Sequence, residues 1–278
     1  MCACREAHPL ALDSESMCTL VILRRPGHPW PLLLAANRDE MEGRPWLPPG
    51  RYWPDREDVV AGLDELAGGT WLGISDDGVV AAVLNRINTL GPAPGMRSRG
   101  ELPLEALDFG DAQSAADALA HLNPAAYRPF NMIVADHARV FWVRAVHGSD
   151  ERAANSASGN GGIDITEVPP GLSMLTAYDL NDTSSPRMRR YLPLFAAARV
   201  PDPVAGDWTK WIALLADVRH EPAAGPGGGM RIVTNTGFGT VSSSLLALPA
   251  EGLGKQPIWL FAAGPPGVAA YDPVRLEN

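Results

Sequence analysis

The sequence predicts an α+β fold of short, hairpin-joined, mostly antiparallel strands with a few helices between and after them, and three observations predict it. Apolar runs are bounded by tight clusters of Gly, Pro, Asn and Asp, as where Thr19-Leu20-Val21-Ile22-Leu23 gives way to Pro26-Gly27-His28-Pro29. Helical spacing is confined to a few segments such as 112–122. Strand and helix do not alternate as in a doubly wound sheet, and neither a G-x-G-x-x-G nor a Walker sequence occurs.

The elements follow in order. Cys18 to Arg24 reads as a strand, Pro26 to Pro29 as a turn, and Pro31 to Ala36 as a second strand whose end delivers Asn37, Arg38, Asp39 and Glu40. Gly43 to Asp58, rich in Pro, Trp and Arg, has no period and reads as a long ordered loop. Gly68 to Ile74 and Val79 to Leu84 form a hairpin around Ser75-Asp76-Asp77-Gly78, placing Asn85, Arg86 and Asn88 just past a buried strand. Ala115, Leu119 and Leu122 share one face of a helix from Ala112 that Asp111 caps. Phe130 to Ala135 and Val140 to Val146 form another hairpin, and Glu151 to Gly162 is flexible by composition. Leu172 to Thr176 is a short strand. Asp182 to Pro186 supplies a helix start for Arg187 to Ala198, and a further helix runs from Asp207 to about Val218. Pro222 to Gly229 is a loop, and Val241 to Leu248, Pro257 to Phe261 and Val268 to Tyr271 close the chain as strands.

Composition narrows the function. The 278 residues carry 23 Lys plus Arg against 32 Asp plus Glu, a formal charge of 23 − 32 = −9, which disfavours a nucleic-acid partner. The three cysteines, Cys2, Cys4 and Cys18, all precede the body of the chain, so a disulfide framework is not expected, and a reducing, cytoplasmic setting is. No apolar run approaches the ~20 residues of a membrane span. Residues 1–17 are polar and aperiodic: a disordered extension, a short propeptide or a misassigned start. No Cys or His pair in the body has metal-ligand spacing, and no cofactor motif is present, so a small-molecule substrate or ligand is the expected partner.

Cys18 carries the chemistry. It follows Met17, and if Met17 is a first residue that is trimmed, thiol and α-amine occur on one residue. A thiol titrates near 8.5 and an α-amine at about 7.7 to 8.0, so the nucleophile brings its own base. Asp39 could hold the amine, Arg38 could lower the thiol pKa, and Asn85 could donate to an oxyanion. The plain readings are a buried strand cysteine for Cys18 and turn residues for Asn37 to Glu40, Asn85 and Asn88.

Met17-Cys18-Thr19-Leu20, Ala36-Asn37-Arg38-Asp39-Glu40 and Gly69-Thr70-Trp71-Leu72-Gly73 together resemble the NRDE family, which includes transport and Golgi organisation proteins of animals. Ser98-Arg99-Gly100-Glu101-Leu102, Pro129-Phe130-Asn131, Gly171-Leu172-Ser173 and Gly239 to Ser244 continue the resemblance in order, over about residues 17–272. It implies a domain over 18–278 of the N-terminal nucleophile hydrolase kind, a four-layer αββα sandwich of two antiparallel sheets flanked by helices. By similarity to the cholylglycine and penicillin-V amidases, Cys18 matches the nucleophile, Asp39 the aspartate near the α-amine and Asn85 the oxyanion asparagine, with Asn37 and Arg38 beside them. Glu40, Asn131 and Asn181 are the substrate-side candidates; the last two are alternatives for an asparagine those amidases carry where this chain has Leu175-Thr176-Ala177. Ala36 also stands where they have an arginine. The implied activity is hydrolysis of a linear amide. The family equally implies an alternative, a binding or trafficking protein handling haem or lipid, although no haem-ligand motif occurs.

Overall fold

The computed structural model describes residues 18–146 and 162–277. The predicted N-terminal extension, and Glu151 to Gly161 of the predicted flexible run, lie outside them. The strands are β1 (Thr19–Arg24), β2 (Leu32–Met41), β3 (Trp46–Gly50), β4 (Val59–Asp64), β5 (Leu72–Ser75), β6 (Val80–Asn85), β7 (Phe130–Ala135), β8 (Val140–Ala145), β9 (Ile163–Glu167), β10 (Gly171–Leu175), β11 (Phe238–Leu248), β12 (Ile258–Ala262) and β13 (Asp272–Pro273). The helices are α1 (Glu101–Leu107), α2 (Ala112–Leu119), α3 (Pro186–Ala197) and α4 (Thr209–Leu215).

One sheet has the order β10-β1-β2-β11-β12-β13, and the other runs β3 to β9 as a meander. Every strand pairing within them is antiparallel. Period-two alternation sorts the side chains into layers. Leu20, Ile22, Leu32 and Leu34 of the first sheet meet Val60, Leu72, Ile74, Val80, Leu84 and Ile133 of the second in a shared core. The opposite face of the first sheet, with Val21, Leu33, Ala35 and Leu245, packs under Met188, Tyr191, Phe195 and Trp211 of α3 and α4. Val59, Val79, Ala81, Phe130 and Met132 pack likewise under α1 and α2. The architecture is an αββα sandwich.

Local signals held where they were self-contained. Asp111 caps α2 by accepting from the Ser114 N–H at 2.8 Å, and Ser185 caps α3 by accepting from Met188 at 3.3 Å. Gly78, at φ +85°, closes the β5–β6 turn with a 2.9 Å bond to the Ser75 carbonyl.

Several expectations need correction. The second strand does not stop at Ala36: β2 continues through Asn37, Arg38, Asp39 and Glu40 to Met41, because β11 pairs with it along that whole stretch, from Ser243 opposite Asn37 to Phe238 opposite Met41. The presumed loop 43–58 contains β3, and β4 and β9 were unpredicted strands. Trp71 precedes β5 instead of lying in it, and α1 forms despite Pro103, which lies within its first turn, where proline's missing N–H is tolerated. The final strand is a short bridge at Asp272–Pro273, not Val268 to Tyr271.

Candidate functional site

The shared core opens at one end into a cleft whose walls come from both sheets. Cys18, Ala36, Arg38, Ser242 and Ser244 line one side, and Trp71, Ala82 and Leu84 the other. Cys18 immediately precedes β1 and packs against the shared core. Its Sγ lies 3.4 Å from the Asp39 amide, which donates to it, and 3.7 Å from the Asp39 carbonyl. Burial, reinforced by the negative charge of Asp39, pushes the thiol up to about 12; the Asp39 amide and the Arg38 charge pull the other way.

Alternation along β2 divides the tetrapeptide between two faces. Asn37 turns toward the helices, donating to the Leu215 and Met230 carbonyls at 3.0 and 2.9 Å while its Oδ1 accepts from Ser243 at 2.8 Å. Asp39 lies on the same face with its side chain fully enclosed. Its Oδ1 accepts from Thr240 at 2.5 Å and its Oδ2 from Arg187 Nη1 at 3.1 Å; the same Nη1 donates to the Thr19 hydroxyl. Burial raises the Asp39 carboxyl to about 6, against the pull of Arg187 and Thr240.

Arg38 faces the cleft. Its guanidinium stacks on Trp71 at 4.1 Å and lies 5.8 Å from Trp46. Gly62 makes that stack possible, since a Cβ there would approach the Trp71 ring to 2.4 Å. Asp64 lies 3.9 Å from Arg38 but binds Arg44 at 2.7 Å, and Arg38 Nη1 has no hydrogen-bond partner among the described residues. A register shift in β11 between Thr240 and Ser242 serves both faces: Thr240 pairs with Asp39, and Ser242 pairs with Arg38 on the cleft side.

The structure thus brings Cys18 and Arg38 to the cleft; Asn37 contributes to its lining as part of β2, but its side chain, like that of Asp39, turns to the helix-facing side. It does not bring the other predicted residues there. Asn85 ends β6 opposite Phe130, which belongs to the core under α1 and α2, so register places it on the helix-facing side. Asn131 is on the interior face, but its amide donates to the Thr176 and Tyr178 carbonyls and its oxygen accepts from Arg86 and Trp142. Asn181, at φ +59°, braces β10 by accepting from the Met174 N–H at 2.8 Å. Glu40 accepts from the Met41 N–H and approaches Arg44 at 3.7 Å.

Sequence reasoning missed Arg187, Thr240, Trp71 and Ser242 as site residues. Arg187 carries no local signal, being 148 residues from Asp39. Trp71 and Ser242 fall within quoted family landmarks. Another landmark pair has a structural cause: Gly69 and Gly100 pack backbone to backbone, a Cβ on Gly69 meeting the Gly100 carbonyl carbon at 2.4 Å.

Among solved structures, the chain is similar to an N-acylethanolamine-hydrolysing acid amidase orthologue of Caenorhabditis elegans, at 13% identity and TM-score 0.53 over 82% of this chain and 92% of that one. It is similar also to a variant of the conjugated bile acid hydrolase of Clostridium perfringens, at 13% identity and TM-score 0.52 over 94% of each. These likenesses concern the fold. In sequence, the Transport and Golgi organisation 2 homologue of Mus musculus is 38% identical over 113 residues, and that of Homo sapiens 36% over 117 residues. Each alignment covers 38% of this chain, and the chain spans 38% of the length of these curated relatives. The sequence pattern of the Transport and Golgi organisation 2 family matches residues 17–197, more than half of the chain, and the protein therefore belongs to that family, built on an αββα sandwich.

Proposed function

We propose that the protein is a cysteine hydrolase of the N-terminal nucleophile kind, cleaving the C–N bond of a linear amide in a small, partly apolar substrate once Cys18 is the first residue. The observation that carries this reading is the Cys18 sulfur, in an interior cleft, held against the main chain of Asp39 and beside Arg38. A family match beginning at residue 17 and the sandwich shared with two hydrolases support it.

In this reading the α-amine takes the thiol proton and the thiolate attacks the amide carbonyl. Collapse of the tetrahedral adduct breaks the C–N bond, and the same proton leaves with the amine. Water then attacks the thioester, releasing a carboxylic acid and restoring the thiol. Asp39, fixed by Arg187 and Thr240, holds the amine. While residue 17 is attached, the nitrogen of Cys18 is an amide and no base, and a thiol near 12 stays protonated at neutral pH. Asn85, placed by register on the helix-facing side of β6, does not line the cleft, so the oxyanion donor is assigned to the cleft wall; Asn85→Ala is then expected to leave kcat unchanged, and a loss of roughly 10²–10³ would return the role to Asn85.

The test is intact-mass analysis of native protein with and without a thiol-directed acylating probe. The reading expects a chain beginning at Cys18 that gains one acyl group, lost on Cys18→Ala. A chain retaining residue 17 and gaining nothing would overturn it.

A further inference from the structure

We propose that Arg38 is the anion-recognition residue of the cleft and that the ligand held beside Cys18 carries a carboxylate. The proposal rests on the reading of this cleft as the substrate site and names the substrate class: an amide with an aliphatic acyl chain and a carboxylate close to the scissile bond.

Arg38 is 6% exposed and lines the cleft, yet its Nη1 is buried without an acceptor among the described residues. Buried donors are almost always satisfied, so an orphan on a cavity wall marks a place where something else supplies the acceptor. The nearby carboxylate does not: Asp64 gives its short contact, 2.7 Å, to Arg44 and stands 3.9 Å from Arg38. Trp71 covers a face of the guanidinium at 4.1 Å, which fixes its plane and leaves the in-plane N–H edge as the means of recognition.

That edge matches a planar carboxylate, which accepts two parallel N–H bonds. Ser242 and Ser244 lie on the same wall and make no side-chain hydrogen bond among the described residues, so their hydroxyls are available to the same ligand. The remaining walls, including Leu20, Leu72 and Leu84, are apolar and suit a short acyl chain. Arg99 and Arg128 also lack a carboxylate partner among the described residues, but they donate to the carbonyls of Thr89, Leu90, Gly91 and Pro129 and do not line the cleft.

The test is calorimetric titration of the full Cys18→Ser chain, which cannot form a thioester, with N-hexanoylglycine and with neutral N-hexanoylglycinamide. The acid is expected to bind at least tenfold more tightly. Arg38→Met in the same background should abolish that preference while leaving affinity for the glycinamide unchanged. Should that variant fail to fold, Arg38→Lys, which keeps the charge but loses the planar fork, should reduce the preference at least threefold. Equal binding of the two ligands, no binding of the acid, or a preference that survives both substitutions would overturn the proposal. Failure of acyl-enzyme formation leaves this comparison intact, and equal binding here leaves the hydrolase reading intact.

Discussion

Asn37 and Asp39, on one face of β2, have their side-chain polar groups matched by partners from α3, α4, Met230 and β11, whereas Arg38, on the face that lines the cleft, keeps an unmatched nitrogen. The same tetrapeptide therefore does two jobs. Its helix-facing half fastens the first sheet to the helical layer through hydrogen bonds to Arg187, Thr240, Ser243 and the Leu215 and Met230 carbonyls. Its cleft-facing half leaves bonding capacity unspent next to a cysteine. Polar satisfaction, more than residue type, separates the fastening face from the working face.

The largest break in this contrast should come from Arg187→Met. It strands the enclosed Asp39 carboxylate, and loss of one partner of a buried pair costs about 3–5 kcal/mol, measurable by urea denaturation at pH 8. The sign with pH follows from the carboxyl standing at about 6 in the folded protein against an ordinary 3.8. The stability that Asp39 contributes is greatest below its unfolded pKa and is lost as pH rises through about 6. Without Arg187 the folded pKa climbs further, so the penalty should shrink between pH 8 and pH 5. A penalty independent of pH would show that the carboxylate is not what Arg187 neutralises.

Asn37→Ala should cost about 2 kcal/mol, because the Leu215 and Met230 carbonyls lose their donor in a buried setting. A loss below about 0.5 kcal/mol would mean those carbonyls find water. Arg38→Met should have the smallest effect, within about 1 kcal/mol of the parent, since an apolar side chain relieves an unpaired nitrogen while losing the stack on Trp71. If Arg38→Met proved as damaging as Arg187→Met, the two faces of β2 would not differ in kind.

What the sequence made legible was local. The β1–β2 turn, the β5–β6 hairpin and the caps at Asp111 and Ser185 depend on residues a few positions apart. The site was legible only in part. Cys18, Asn37, Arg38 and Asp39 were identified, but as groups at a strand end; continuing the period-two pattern through them would have separated Asn37 and Asp39 from Arg38. The partners that decide their roles, Arg187 of α3, Thr240 of β11 and Trp71 just before β5, are distant in the chain and leave no trace in the spacing. Asn131 and Asn181 show the converse failure: residue type suggested chemistry, while their bonds to Thr176, Tyr178 and Met174 brace the backbone.

The most direct measurement compares acylation of Cys18 across pH in two chains, one beginning at Cys18 and one retaining residues 1–17. The account predicts labelling of the shorter chain near neutral pH, rising through the titration of its α-amine, and no labelling of the longer chain below about pH 10, where a thiol displaced toward 12 stays protonated. Equal labelling of both chains, or of neither, would contradict it.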